Sequence, residues 1–443
     1  MKGRIFTYFF LLLIIGSVFL NNINLGYYLD LESSLRLIDI LAPVSAGCMF
    51  VMLSLKKPAI RNSVLIRFIV LIGVAAMLIT AVSVARRVPD NWDAQRILRA
   101  LVRFIEVLLL GFTVRLLIRK EWVSSIIQVL VVISSVVSAS GIAIYLSSPE
   151  EYSRVAGFFS TGTYQEGILE GGAASFNEVG ALYAVMLLNG LILTFGKGLL
   201  RRQVLNGVCV TMLYAGLIVT RSRSGMLSAL IGMIVLLCLA PKKYSVTSLM
   251  VFCSVLAATM LWIPHLYFGF YERLVGTFQE GDVSYESAVF RYNTWISAID
   301  VFKSNPLFGV GYACFAEANS EGYITPENYF LEIMADMGFV GISLWAWLVT
   351  SLVRTGHKAA NHDRQSGTVW NYRCLLFPAI AALLCSNLTG NNFLNPGLFL
   401  LFLFYCSCVE CVYQNVGLSL SSSERAAPYS PMLIAQSGGR QQA

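Results

Sequence analysis

The chain has 443 residues, of which 56% are hydrophobic and only 13% charged, and its formal net charge is +7. A soluble globular protein carries about 25% charged residues, so this composition excludes a soluble globule and predicts a multi-pass membrane protein. Because lipid offers no hydrogen-bond partner to the backbone, we expect the membrane-spanning segments to be α-helices.

Apolar runs long enough to cross a hydrocarbon core of about 30 Å recur along the whole chain. They predict an all-α fold with about twelve transmembrane helices. The runs lie near residues 5–20, 37–55, 64–85, 98–118, 122–147, 179–195, 205–220, 225–240, 245–264, 329–353, 372–388 and 396–413. We therefore predict an integral membrane domain over residues 1–413, followed by a disordered, Ser-, Gln- and Gly-rich cytoplasmic tail at 414–443.

The lysines predict the orientation of the chain, because positive residues concentrate in cytoplasmic loops. If the N-terminus is cytoplasmic, only Lys303 of the nine lysines lies on the outer side. Both termini are then cytoplasmic, and one large outer loop extends from about residue 265 to 328. The positive net charge reflects this topology, and we expect no nucleic acid as a partner.

The fourth predicted helix carries four ionisable residues on one face, Arg96, Arg99, Arg103 and Glu106, because they stand at offsets of 0, 3, 7 and 10. Arg103 and Glu106 lie within the predicted span, where charged groups are costly and face a cavity or one another. Two interpretations stay open. The residues form an internally neutralised pair with snorkelling arginines, or they line a cavity that accepts an anionic lipid headgroup.

Arginines in the predicted outer connections are candidates for anion binding. Arg154 lies in a glycine-rich loop, and Arg221 and Arg223 lie in the tight turn after the seventh helix. A guanidinium group suits bidentate capture of phosphate oxygens. The alternative for the turn is a charged cap at the end of a helix.

The large outer loop is the longest polar stretch of the chain, and function is to be sought there first. Residues 287–304 predict an amphipathic helix that lies on the membrane surface. Gly309 and Gly311 then form a turn, but no strand precedes it and no GK[ST] follows, so a nucleotide-binding loop is not predicted. We expect no cofactor and no metal, because the outer loops hold no Asp-x-Asp or His-rich pattern.

Three motifs in the second half of the chain, taken together, resemble the O-antigen polymerase and O-antigen ligase superfamily. The resemblance is strongest over residues 205–353. The motifs are Arg221-Ser222-Arg223-Ser224-Gly225, then Asn305-Pro306-Leu307-Phe308-Gly309-Val310-Gly311, and then Glu327-Asn328-Tyr329-Phe330-Leu331 with Met337-Gly338-Phe339-Val340-Gly341.

This resemblance implies a glycosyltransferase of the bacterial inner membrane whose donor is a glycan on undecaprenyl pyrophosphate. The implied partners are lipid-linked glycans, membrane lipids, a polysaccharide chain-length regulator and a flippase. Ligases of this family carry a histidine directly before the asparagine of the last motif, and Glu327 stands there in this chain. The departure favours a polymerase of lipid-linked repeat units over a ligase that transfers the glycan to lipid A core.

The chemistry of such a donor needs little beyond charge stabilisation and a base. The departing diphosphate is a stable anion, so the enzyme must stabilise charge that builds on the phosphates and take the proton of the acceptor hydroxyl. We predict Glu327 and Arg291 as catalytic residues, although Glu327 also suits a helix N-terminus. The predicted pyrophosphate contacts are Arg221, Arg223, Arg154 and Arg273, and the further substrate contacts are Asn328 and Arg103.

A lipid-linked glycan flippase or other transporter is the alternative from a different class. It predicts charged residues deep in several helices and small outer loops. This chain instead concentrates its charge in the outer loops.

Overall fold

The computed structural model describes residues 2–20, 40–45, 63–87, 93–147, 176–195, 200–220, 222–240, 250, 253–254, 271, 275–366 and 370–425. Within these ranges the fold is all-helical and contains no β-strand. The helices are α1 (Lys2–Leu20), α2 (Val64–Arg87), α3 (Ala94–Leu117), α4 (Lys120–Ser147), α5 (Phe176–Phe195), α6 (Leu200–Val219), α7 (Arg223–Leu239), α8 (Val283–Ser304), α9 (Phe315–Ala318), α10 (Tyr329–Ser366), α11 (Trp370–Ser386) and α12 (Pro396–Arg425).

Six of these helices are long and apolar enough to cross a membrane, namely α2, α4, α5, α6, α10 and α12. Shorter apolar stretches occur in α1, α7 and α11. Together with the charged α3, these helices coincide with ten of the twelve predicted spans. The other two predicted spans, 37–55 and 245–264, lie largely outside the described residues, so the count of twelve and the sidedness of the loops stay predictions. Helix α12 continues past residue 413, and the rest of the predicted tail is not described.

Helix α12 is the central element of the described bundle. Of its apolar window Pro396–Tyr413, 94% is buried inside the protein rather than exposed to lipid. It packs against α1, α3, α10 and α11, while α5, α6, α7 and α11 pack together beside it. A helix that is apolar all round and covered on every side is typical of a bundle centre.

A buried polar cluster joins three helices at the end of the bundle where α2 begins. Glu410 of α12 accepts hydrogen bonds from Arg115 Nε at 2.8 Å, from Ser63 Oγ at 2.5 Å and from the Leu65 backbone N–H at 2.7 Å. Both members of the ion pair are less than a tenth exposed. Removing one partner of such a pair leaves a buried charge uncompensated and costs about 3–5 kcal/mol. The cluster therefore holds α3, α12 and the start of α2 together.

The Asn305–Gly311 motif and the Met337–Gly341 motif form one packed unit at a kink in α10. Gly338 adopts φ 60° and ψ −152°, which interrupts the helix. The Phe339 backbone N–H donates to Pro306 O at 2.8 Å, and the Val310 N–H donates to Ala335 O at 3.0 Å. A Cβ added to Gly338 would lie 2.6 Å from the Leu307 carbonyl carbon. The two motifs of the resemblance are thus structural partners.

Replacing Gly338 by alanine is expected to destabilise this unit strongly, because the new methyl group meets a backbone and φ is positive. We expect a cost of about 3 kcal/mol or more, seen as a lower midpoint of thermal unfolding for the detergent-solubilised protein. Gly207→Ala is the matched control, since nothing lies within 4 Å of its added Cβ. Equal midpoints for the two variants would contradict the packing described here.

Helix α8 is the predicted amphipathic helix of the large loop, and it begins slightly earlier than predicted, at Val283. It packs against α10 through a buried face of small residues, which are Thr294, Ser297, Ala298 and Val301. Two of its large apolar side chains, Tyr292 and Ile296, are 62% and 42% exposed. The helix therefore packs through small residues and leaves some of its larger apolar side chains uncovered.

Candidate active site

One end of the bundle brings together the start of α10, the end of α11 and the loop that precedes α9. The Tyr329 N–H donates to Asn387 O at 3.1 Å, which joins α10 to the chain after α11. The Tyr312 N–H donates to Thr80 Oγ1 of α2 at 2.8 Å. These bonds hold the large loop against the helix ends, on the side where α3, α10 and α12 all begin.

Asp336 organises the turn that leads into α9. Its carboxylate is 1% exposed and accepts hydrogen bonds from the Ala313 N–H at 2.6 Å and the Phe315 N–H at 2.9 Å. Ala313 has a positive φ of 59°, a conformation that a non-glycine residue adopts only where its surroundings hold it. Asp336 is therefore a structural residue that holds the loop before α9 against the helix ends.

A cavity of about 200 Å³ opens between α3, α10, the loop before α10 and the start of α12. Two guanidinium groups, one carboxyl group and two hydroxyl groups stand among aromatic rings in its wall. The wall includes Arg96, Arg103, Phe104, Tyr312, Thr325 and Glu332. Of the four residues on the predicted charged face, Arg96 and Arg103 line this cavity, whereas Arg99 and Glu106 are not part of its wall.

The charges around this cavity are partly balanced. Arg96 Nη2 lies 2.8 Å from Glu317 Oε1 of α9. Glu332 is only 5% exposed, and its Oε2 finds no hydrogen-bond partner among the described residues. A buried carboxyl oxygen without a partner is costly, so the cavity contains an unused hydrogen-bonding position.

Arg291 and Glu327 form an ion pair beside this cavity. Arg291 Nη2 of α8 lies 3.9 Å from Glu327 Oε2, and the two side chains are 21% and 36% exposed. Thr325, two residues before Glu327, is part of the cavity wall. The Thr294 hydroxyl of α8 donates to Pro326 O at 3.1 Å. Helix α8 thus carries Arg291 and, through the bond of Thr294 to Pro326, also positions the segment that contains Glu327 at the cavity edge.

Asn328 has a structural role at the start of α10. Its Oδ1 accepts from the Phe330 N–H at 3.1 Å and from the Leu331 N–H at 3.2 Å, as an N-cap residue does. Its Nδ2 donates to Leu388 O at 2.9 Å. These bonds explain the presence of asparagine in the motif, and no bound ligand is needed to explain it. They also fix the position of the preceding Glu327.

Arg223 begins α7 and does not border the cavity. Its Nη1 donates to Thr277 Oγ1 in the large loop. Ser222 caps the helix by accepting from the Gly225 N–H at 3.0 Å, and its hydroxyl donates to Asn177 Oδ1 at 3.0 Å. The turn therefore ties α7 to the start of α5 and to the loop before α8.

The predicted site residues thus divide into four groups. Arg103 borders the cavity, Arg291 and Glu327 pair at its edge, and Asn328 and Arg223 make the contacts just described. Arg154, Arg221 and Arg273 lie outside the described residues.

Two buried carboxylic acids of α10 were not predicted from the sequence: Glu332, which lines the cavity, and Asp336, which holds the loop before α9. Both are carboxylic acids in the apolar segment Tyr329–His357, one helical turn apart. Ionisable residues within a span usually serve a function and face a cavity or a partner. This signal was present in the sequence and would have identified both.

Tyr312 is buried in the cavity wall, and its ring stacks on Phe104 at 4.4 Å between centroids. Burial raises the pKa of its hydroxyl well above the usual range, and nearby Tyr329, Glu332 and Asp336 raise it further. The phenol therefore stays protonated at physiological pH and is a hydrogen-bond donor rather than a base.

Residues 207–346 match a family model described as O-antigen ligase. The matched segment extends from α6 through α7 and α8 into α10, and so includes Arg223, Arg291, Glu327 and Glu332. Arg96 and Arg103 of α3 lie outside it. None of the curated proteins matches the chain.

Proposed function

We propose that this protein, whose residues 207–346 belong to the O-antigen polymerase and ligase superfamily, polymerises oligosaccharide repeat units linked to undecaprenyl pyrophosphate. The product is a surface polysaccharide, such as an O-antigen, a capsule or an exopolysaccharide. Members of this superfamily are membrane glycosyltransferase-like enzymes. The Arg291–Glu327 pair beside an arginine-lined cavity at the helix ends is the observation that carries the proposal.

The proposed reaction is a displacement at the sugar carbon bonded to the diphosphate. A hydroxyl oxygen of the acceptor unit forms the new glycosidic bond, and the bond to the diphosphate breaks. Undecaprenyl pyrophosphate leaves with the electron pair, and the hydroxyl proton passes to the Glu327 carboxylate. The departing group is already activated, so no nucleotide enters the reaction.

Arg291 and Arg223 are the described arginines that we assign to the diphosphate, and Arg154, Arg221 and Arg273 complete the proposed set. Stabilising charge that develops on a leaving group is usually the largest single contribution to catalysis. The 3.9 Å separation of Arg291 from Glu327 exceeds a hydrogen-bond distance, so the guanidinium N–H groups stay available for phosphate oxygens.

Glu327 suits the role of a base on geometric grounds. It is 36% exposed on its side chain, enough for a substrate hydroxyl to approach. Its backbone has a positive φ of 51°, and the capping bonds of Asn328 hold it there. A general base must come within about 3 Å of the hydroxyl oxygen whose proton it takes, and Glu327 stands two residues after Thr325 of the cavity wall.

A ligase that transfers the finished glycan to lipid A core is the second candidate. The family match itself favours it, because the matching model carries the ligase description. Glu327 in the position of the ligase histidine favours the polymerase instead. Both enzymes use the same donor, so the acceptor decides between them.

Reconstitution of the purified protein in lipid nanodiscs distinguishes the two. With lipid-linked repeat units as the sole substrate, and with no nucleotide, a polymerase yields a ladder of glycans on undecaprenyl pyrophosphate. A ligase yields a product only after lipid A core is added. A protein that moves the lipid-linked units across a proteoliposome membrane and forms no new bond would contradict both proposals and favour the transporter.

A further inference from the structure

We infer that the cavity between Arg96, Arg103 and Glu332 binds one neutral sugar residue of the acceptor glycan. The inference rests on the proposed function and adds a substrate subsite to it. It starts from an unpartnered carboxyl oxygen, Glu332 Oε2, on a side chain that is 5% exposed and borders the cavity.

The mixture of charges in the wall favours a hydroxyl-bearing ligand over an anion. Arg96 lies 2.8 Å from Glu317, and Arg103 and Glu332 both border the same space. A diphosphate placed there would meet an acidic side chain as well as the guanidinium. A sugar hydroxyl both donates and accepts, so it can donate to Glu332 and accept from Arg103.

Of the two interpretations of Arg103 that the sequence left open, the cavity for an anionic lipid headgroup needs an excess of positive charge. Arg96 is paired with Glu317, and Glu332 adds an acidic group to the wall, so the two guanidinium groups are not an unopposed positive cluster. Neither arginine that we assign to the diphosphate lines this cavity: Arg291 pairs with Glu327 at its edge, and Arg223 contacts Thr277 of the large loop. The two subsites thus separate the charged part of the donor from the uncharged part of the acceptor.

The size and the apolar wall of the cavity agree with a single sugar ring. Its volume of about 200 Å³ holds about six waters at roughly 30 Å³ each, and it is smaller than the roughly 300–1,000 Å³ of pockets for larger ligands. Phe104 stacks on Tyr312 and on Phe399, with centroid distances of 4.4 and 5.7 Å. Such rings offer an apolar surface to the C–H face of a pyranose.

The position of the cavity assigns this sugar to the acceptor. Thr325 is in the wall, two residues before the proposed base. Glu327 and Glu332 are also close enough to interact electrostatically. A sugar held by Glu332 therefore lies next to the carboxylate that takes the proton of the attacking hydroxyl.

The test uses a probe that lacks the diphosphate. Repeat-unit oligosaccharide is released from lipid-linked intermediates with mild acid, converted to its methyl glycoside and titrated calorimetrically into the full-length protein in nanodiscs. We expect binding to the wild type, weakened about tenfold or more by Glu332→Gln, as for loss of a hydrogen bond to a charged group. Ala100→Phe fills the cavity without removing a charge and is expected to abolish binding.

Three controls make the outcome specific. Arg99→Ala removes an exposed arginine of the same helix, whose Nε donates only to Gln95 O of its own turn. Asp300→Asn removes an exposed carboxylate. Both are expected to bind the probe as the wild type does. Glu327→Gln is also expected to bind it, while losing chain extension, which separates this subsite from the proposed base.

The contrary results are equally distinct. Unchanged binding in both Glu332→Gln and Ala100→Phe would overturn the sugar subsite, even if the wild type polymerises. Binding of inorganic pyrophosphate that Ala100→Phe abolishes would identify an anion site instead. A wild type that binds the probe but forms no glycan product would contradict the proposed function and leave the subsite standing.

Discussion

Glu327→Gln is expected to lower kcat for chain extension by about 10²- to 10⁴-fold, the usual contribution of a positioned general base. Glutamine has the same shape but accepts no proton from the acceptor hydroxyl. Its side chain keeps a polar contact with Arg291, so folding and membrane insertion are expected to persist. The measurement is the single-turnover rate of ladder formation in nanodiscs.

Glu321→Gln is the control for Glu327→Gln, because Glu321 is an exposed carboxylate of the same loop. It is expected to extend chains at the wild-type rate. A Glu327→Gln protein with full activity would show that Glu327 is only an acidic residue at the start of α10, where the helix dipole favours it. Equal losses in both variants would indicate a general effect of loop charge.

Arg223→Ala is expected to abolish long polysaccharide while the protein stays in the membrane at wild-type abundance. Loss of one positioned donor to a developing anion costs about 10²- to 10³-fold in kcat. Arg223→Lys keeps the charge but not the bidentate geometry, so we expect an intermediate rate. Glycan length on gels and single-turnover rates in nanodiscs measure the effect.

The hydrogen bond of Arg223 to Thr277 provides the sharpest control for this prediction. Thr277→Val removes the acceptor and leaves the guanidinium in place. If Arg223 binds the diphosphate, Thr277→Val retains most of the activity. If Arg223 only ties the large loop to α7, both variants lose activity equally. Arg201→Ala, on the exposed surface of α6, is expected to change nothing.

The two glycine motifs were recognisable in the sequence, but their packing against each other was not. The sequence indicated that Gly309 and Gly338 belong to motifs and that the first of them is in a turn. It did not indicate that the two segments pack on each other. A Cβ on Gly309 would lie 2.3 Å from the Asp336 carbonyl carbon, which explains why both segments need glycine. Such contact between distant segments has no local sequence signature.

The site was predictable in part. The helical spacing of Arg96 and Arg103 predicted a common face, and the structure places both on one cavity. Spacing did not predict that Glu332 of α10 faces them, or that Arg96 pairs with Glu317. These contacts join residues far apart in the chain, and the packing of α3 against the loop and α10 creates them.

By itself, the sequence determined the all-helical membrane architecture, because apolar runs without backbone partners in lipid leave only helices. It also determined the three motifs that carry the resemblance, including the acidic residue at position 327. Only the tertiary structure decided which charges share a space: Arg291 with Glu327, and Arg96 and Arg103 with Glu332. Helix formation follows from local periodicity, whereas the balance of charge in a cavity depends on how the helices pack.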